Sequence, residues 1–298
     1  MKKLLFLLII SIAFLSSCKK DKEDGPYLQF KFKFDNTQER LGIFGQPSTI
    51  PVGNAAQHPE FNGMSAHFIE LVQTNLTPYK QGEQVYMGEE TTAGGDNAID
   101  HQNAIVKADG EVWHQVALKD ITPGTYRNLR VSVAYQNYDV KFNIENVPVV
   151  GDVYNQSGTV ASFVGYNTYI TNMKPKNIEE PVNDDKLQGF WGFETELDSP
   201  LDQYNQVTVG QAPGTTVVNP FSVPIPVGSC VVGGNLSEPI EITGNETEDI
   251  VITLSFSTNN SFEWTDTNGN GEWDMDATNF TVEPVVDMGL RGLIGIVE

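Results

Sequence analysis

Basic residues are scarce in this 298-residue chain: 18 Lys and Arg stand against 39 Asp and Glu, for a formal net charge of −21. Binding a nucleic-acid backbone needs clustered cations that displace its counterions, so a DNA- or RNA-binding role is excluded. Cysteine and histidine are nearly absent. Two cysteines cannot staple a disulfide scaffold, and four histidines leave little room for a multi-histidine catalytic centre. The chain has no Gly-x-Ser-x-Gly elbow, no glycine-rich phosphate loop ahead of a helix and no His-Glu-x-x-His zinc pair. Beyond the N-terminal segment no apolar run approaches the ~20 residues that span a bilayer as a helix, and no window carries a sustained helical period.

What is present begins with an address. Met1-Lys2-Lys3 is a short basic start, and Leu4 to Leu15 is almost wholly apolar, the pattern of a bacterial export signal. Leu15-Ser16-Ser17-Cys18 resembles a lipobox, which implies a signal peptide over 1–17 and a Cys18 that is acylated, palmitate-type, and becomes the new N-terminus. The alternative is an ordinary signal peptide with an incidental cysteine. Residues 18–26 form a charged tether closed by Gly25-Pro26. Its charge next to Cys18 resembles signals that send lipoproteins to the outer face of the outer membrane; a plain solubilising spacer is the other reading. The expectation is a membrane partner held through the lipid anchor and a surface-exposed location. From Gly25 onward 13 basic residues face 36 acidic ones, so the body is more acidic than the whole, at −23.

From Tyr27 the period is two. Leu28, Phe30, Phe32 and Phe34 alternate with Gln29, Lys31 and Lys33, as in a strand with one solvated face. The alternation recurs in Leu129 to Tyr135, in Tyr138 to Ile144 and in Ile250 to Phe256. Shorter β-branched runs fill the gaps between Gly-, Pro- and Asn-rich turns. Many short strands argue for an all-β, antiparallel β-sandwich. Residues 27–180 are expected as a β-sandwich domain, and 181–298 as a second β region, either a packed subdomain or part of the same sandwich. Asp120 to Tyr126, with Pro123 and Gly124, has the form of a corner in which a tyrosine hydroxyl ties down its loop. Cys230, left without a partner when Cys18 is lipidated, is expected as a buried, unreactive thiol.

The most specific local pattern is Asp266-Thr267-Asn268-Gly269-Asn270-Gly271-Glu272-Trp273-Asp274. Side-chain oxygens at loop positions one, three and five, then glycine at six, are what a calcium loop uses, because alternate residues point inward and glycine allows the bend. Asp266, Asn268 and Asn270 would be side-chain ligands, Glu272 would offer its carbonyl, and Asp274 would bind directly or through water. Position twelve is Ala277, where an EF-hand has glutamate, so the pattern is closer to short calcium loops inserted in extracellular β-proteins. The competing reading is a hairpin turning at Asn270-Gly271, with Phe262, Trp264 and Trp273 paired across it.

Histidines supply a second metal reading. His67 is expected on the strand face of Ile69 and Leu71, and His114 on that of Val112, Val116 and Leu118; neutral imidazoles converging in a sandwich bind a transition metal. Lone histidines on apolar faces also serve as satisfied core residues. His101 follows Asp96 and Asp100, a candidate mixed site. The span from Phe30-Lys31-Phe32-Lys33-Phe34-Asp35 through Met64-Ser65-Ala66-His67-Phe68-Ile69-Glu70-Leu71 to Pro123-Gly124-Thr125-Tyr126 resembles MbnP-like proteins. That resemblance implies an exported β-sandwich and, as the alternative to calcium, copper held by histidines and an oxidised tryptophan, here His67, Trp113 and His114.

Catalysis finds weaker support. Two carboxylates suffice for glycoside hydrolysis, but 39 acids single out no pair. Phe190, Trp191 and Phe193 are expected as core before sugar platform. The reading is therefore a lipid-anchored cell-envelope binding or structural protein, not an enzyme, whose ligand is a metal ion, a glycan or an envelope protein. A carbohydrate-active or other accessory enzyme is the alternative.

Overall fold

The computed structural model describes residues 25–41, 46–212 and 230–298. Cys18 and most of the tether lie outside the described residues. In chain order the strands are β1 (Tyr27–Asp35), β2 (Asn54–Gln57), β3 (Glu60–Val72), β4 (Glu83–Met87), β5 (Glu90–Thr91), β6 (Ala98–Asp100) and β7 (Val112–Ala117). There follow β8 (Gly124–Val147), β9 (Gly151–Phe163), β10 (Asn167–Met173), β11 (Glu180–Leu187), β12 (Phe190–Glu196), β13 (Val207–Gln211) and β14 (Cys230–Ile242). The last are β15 (Ile250–Ser257), β16 (Phe262–Thr265), β17 (Asp274–Asp276), β18 (Thr281–Val282), β19 (Val285–Asp287) and β20 (Arg291–Val297). Among the described residues the helical elements are three single 3-10 turns, and no helix is long and apolar enough to cross a membrane. The fold is all-β, with sheets packed on one another.

Long-range pairing joins the two ends of the chain. A main path runs β13-β12-β9-β8-β14-β20-β15-β1-β7, and smaller sheets β11-β10-β6-β5 and β19-β16-β2 cover it. β1 is the strand its alternation announces: Leu28, Phe30 and Phe32 are buried and Lys33 is exposed. It pairs in parallel with β15 and antiparallel with β7. Strands from both sides of residue 180 thus stand in one sheet.

β8 is the spine. The expected separate strands Leu129–Tyr135 and Tyr138–Ile144 are one continuous strand of 24 residues. One edge pairs with β14 up to Val133 and with β9 from Tyr135 on; the other pairs with β3 and then, in parallel, with β17. The change of phase that suggested two strands is a bulge at Ala134, where β8 advances by two residues against one of β3. An extra residue turns every following side chain to the other face. The odd-numbered Leu129, Val131 and Val133 and the even-numbered Tyr138, Val140 and Phe142 therefore share a face. The first three join a core with Phe30, Leu254 and Phe256 and the others an adjoining core with Phe262, Trp264 and Trp273, bridged by Phe61. A third core, around Tyr135, Phe163, Ile170 and Phe190, covers another part of the sheet.

Strand direction defines two poles. β8 starts beside the beginning of β1: Tyr27 pairs with Ala117, Leu118 N donates to Pro26 O at 3.0 Å, and a short corner leads to Gly124. There Tyr126 Oη donates to Thr122 O at 2.7 Å, the expected tyrosine tie. β8 ends at Val147, and at ~3.3 Å per residue that places the β8–β9 hairpin tip tens of ångströms from the N-terminal pole.

Candidate functional site

The distal pole carries the Asp266–Asp274 loop. The hairpin alternative fails: β16 and β17, which flank the loop, do not pair, β16 lying between β19 and β2 and β17 between β18 and β8. The loop folds as a chain of side-chain-capped turns. Asp266 Oδ1 and Oδ2 accept from Gly269 N at 2.8 Å and Gly271 N at 3.0 Å. Asn268 Oδ1 accepts from Asn270 N at 3.0 Å, and Asn270 Oδ1 from Glu272 N at 2.8 Å. Gly269 and Gly271 take φ of 76° and 81°, a region that favours glycine.

Positions three, five and nine converge. Asn268 and Asn270 donate Nδ2 to the same oxygen, Asp274 Oδ2, at 2.7 and 2.8 Å, while Asn143 on β8 donates to Asp274 Oδ1 at 2.9 Å. Glu272 departs from expectation: its carbonyl accepts from Trp264 Nε1 at 3.0 Å, and the core indole claims the oxygen assigned to a metal. Sequence reasoning missed Glu283. Buried beside the loop, it accepts from Thr267 N at 2.6 Å and Thr267 Oγ1 at 2.8 Å with one oxygen and from Asp274 N at 3.2 Å with the other. Its only sequence signal is an acid set in the strand-like Thr281-Val282-Glu283-Pro284.

The local field is negative. The Glu145 carboxyl is pushed up by loss of water and by the neighbouring charges of Asp274, Asp152, Asp276 and Glu283. Crowded carboxylates repel one another, and a bound cation relieves that repulsion. Among the described residues no group of three or more His, Cys, Asp or Glu is placed to hold a metal, so a cation here would depend on the amide oxygens as well as the two loop carboxylates.

The copper candidates sit elsewhere and take different partners. A bulge at His67, the residue skipped between Ala66 and Phe68 in the pairing with β8, breaks the shared face with Ile69 and Leu71. The ring turns to Tyr166, at 5.7 Å between centroids, and to Glu90, whose Oε1 lies 3.1 Å from Nε2. Burial lowers its pKa against the pull of Glu90. A matching bulge skips Trp113 in the β1–β7 register, so Val112 leaves the face expected for it with His114, while His114 and Val116 still share one, opposite Phe30 and Leu28. Trp113 is buried in the core, with Nε1 donating to Ile105 O at 2.7 Å. His114 packs on Tyr86, its Nε2 3.2 Å from Val85 O, and burial lowers its pKa too.

His101 forms no mixed site with Asp100. That carboxylate caps its own turn, accepting from Gln102 N at 3.1 Å and Asn103 Nδ2 at 3.0 Å, while the His101 ring lies on Tyr135 and Phe163. Burial brings its pKa down to about 4. A histidine whose folded pKa is below its unfolded value of ~6.5 binds fewer protons folded than unfolded. Stability is therefore expected to fall as pH drops from about 6.5 to about 4. His101→Phe, which keeps a ring against Tyr135 and Phe163, should flatten that fall in denaturant titrations across the window; an unchanged slope would show that other groups govern acid stability.

Next to the loop lies an open groove of about 1020 Å³. Phe142, Phe193 and Trp191 line one wall and Trp273, Met275 and Val285 the other, so it is the unfilled seam between the β8-β9-β12-β13 face and the strands that follow the loop. Phe190 and Phe193 are core residues as expected, whereas Trp191 is only half-buried and faces this seam. The two hairpin tips at its mouth expose Val149, Val150, Phe280 and Val282. Cys230 is a free thiol, half-buried where a buried one was expected, and loss of water around the sulfur pushes its pKa up. Comparison with known proteins gives no match to a family model, a curated protein or a solved structure.

Proposed function

We propose that this is a lipid-anchored, non-catalytic binding protein of the cell envelope, held through Cys18 at one pole and stiffened by calcium at the other. Support for the calcium reading comes chiefly from one observation: the side chains at loop positions three, five and nine meet at Asp274 Oδ2 in a loop whose glycines take left-handed conformations. The amide nitrogens face Asp274 there, and a hard cation in their place would be met by the amide oxygens once Asn268 and Asn270 turn over. Asp266 and Asp274 supply the charge, Asn268 and Asn270 neutral oxygens, and Glu283 holds the loop shut from outside. The ion would be structural, joining the loop through Asn143 to the end of β8.

A ligand that binds only the folded state raises stability, by about 2.7 kcal/mol at a hundredfold excess over Kd. For a chain this long that is a rise in Tm of roughly 5–10 °C when calcium is added to chelator-treated protein. Asp274→Ala should abolish the rise. An equal Tm with and without calcium would rule the site out.

The anchor reading rests on the lipobox and on the position of Pro26 and Tyr27 at the pole remote from the loop. Cys18→Ala should move the protein from the membrane fraction to the soluble fraction of the envelope. Retention in the membrane fraction would refute lipid attachment.

A further inference from the structure

Protein interiors are close-packed, and a contiguous apolar surface of this extent is rarely left open without a use. The groove at the distal pole breaks both habits. Its walls belong to well-formed strands: Phe193 is seated on β12 against Trp273, with ring centroids 5.6 Å apart, and Trp191 lies along Gly210 of β13. The opening is therefore set by the sheet positions. Tyr204 and Phe280 stand at its mouth and are 62% and 93% exposed. Ligand sites of this kind are concave and mostly apolar, with a few polar groups at the margin.

The charge of the lining narrows the occupant. None of the described lining residues is Lys, Arg or His, while Asp276, Glu283 and Asp287 are among them. Asp287 is already paired with Arg291 at 2.7 and 2.8 Å, and Glu283 is spent on Thr267 and Asp274. Among the described residues this leaves Asp276 as the rim carboxylate without a cation beside it, so a positively charged end would be attracted there and an anionic one repelled.

We propose that the groove binds a small amphipathic ligand: an apolar chain or ring system, seated against Trp191 and over the packed Phe193 and Trp273 rings, with a cationic polar end at Asp276 on the rim. The inference does not depend on calcium in the neighbouring loop, and binding is to be measured both with chelator and with calcium so that the two can fail separately.

The test uses the mature protein and the neutral fluorophore phenylnaphthylamine, with energy transfer from the groove tryptophans as the readout. Saturable uptake is expected, and an alkylammonium should displace the probe at least tenfold more effectively than the carboxylate of equal chain length. Thr208→Trp, which places a large side chain on the exposed face of β13 that lines the groove, should weaken uptake at least tenfold while leaving Tm within a few degrees. Absence of saturable uptake, equal displacement by the carboxylate, or undiminished uptake by a folded Thr208→Trp variant would each overturn the proposal. So would uptake that appears only when residues 213–229 are removed, which would assign the groove to this chain, or a dimer that dissociates as the probe binds, which would assign it to a second copy.

Discussion

Arg130→Ala is expected to cost about 3–5 kcal/mol, the range for stripping one partner from a buried ion pair. Arg130 on β8 and Glu70 on β3 are both buried, and Arg130 donates to Glu70 Oε1 at 2.8 Å. The pair is also a clamp on the loop between β3 and β4. Arg130 donates to the carbonyls of Thr77 and Pro78, and the Glu70 carboxylate accepts from Lys80 N at 3.3 Å and Gly82 N at 3.0 Å. With the guanidinium gone, a fully buried carboxylate keeps only two backbone donors and the loop loses its tie. The drop in Tm should be roughly 10 °C or more. Denaturant unfolding checks it; a loss below about 1 kcal/mol would mean that water replaces the guanidinium and that the site is not dry.

Trp264→Ala should cost a similar 3–5 kcal/mol, because a buried tryptophan leaves both lost transfer energy and a cavity. The indole is nearly inaccessible, packs 6.1 Å from Phe262, and donates Nε1 to the carbonyl of Glu272 inside the calcium-type loop. Two effects should separate. Trp264→Phe keeps most of the volume and should lose about 1 kcal/mol for the hydrogen bond. Trp264→Ala should also blunt the calcium-dependent rise in Tm, since the loop then has no anchor in the core. If the alanine variant lost stability but kept the full calcium response, the indole would be a packing residue alone.

Other buried carboxylates have equally structural roles. Glu194 accepts from the backbone N–H groups of Lys176, Asn177 and Ile178, and Glu263 is met by Arg40 and Asn54. Each pins an irregular segment to a strand. An acidic chain thus uses part of its surplus inside, where a carboxylate can satisfy several orphan N–H groups at once.

Much of the fold was legible because strand signals are local. The alternation in Leu28 to Phe34 needs one covered face and one wet face, and β1 has both. Tyr126 was legible because its partner, Thr122, is four residues away. The loop's spacing was legible because its turns are closed by side chains two to five residues apart. The reading failed where a bulge intervened. At Ala134, His67 and Trp113 a single extra residue reversed the phase, which took His67 off the face of Ile69 and Leu71 and Val112 off that of His114. A bulge is set by the partner strand's register and leaves little mark on composition.

The amino-acid sequence alone determined that the chain is a poor ligand for nucleic acid, that it is built of strands, and that one loop carries oxygen side chains at calcium spacing. Charge, period and turn chemistry act over a few residues and need no partner. Only the tertiary structure decided that β1 lies beside β15, more than 200 residues away, that Glu283 latches the loop, and that two layers part to leave an apolar groove at the pole opposite Tyr27. Those outcomes depend on which distant strands win the competition for each edge of β8. That competition is settled by summed hydrogen bonding and burial across the whole sheet, and no local stretch of sequence encodes it.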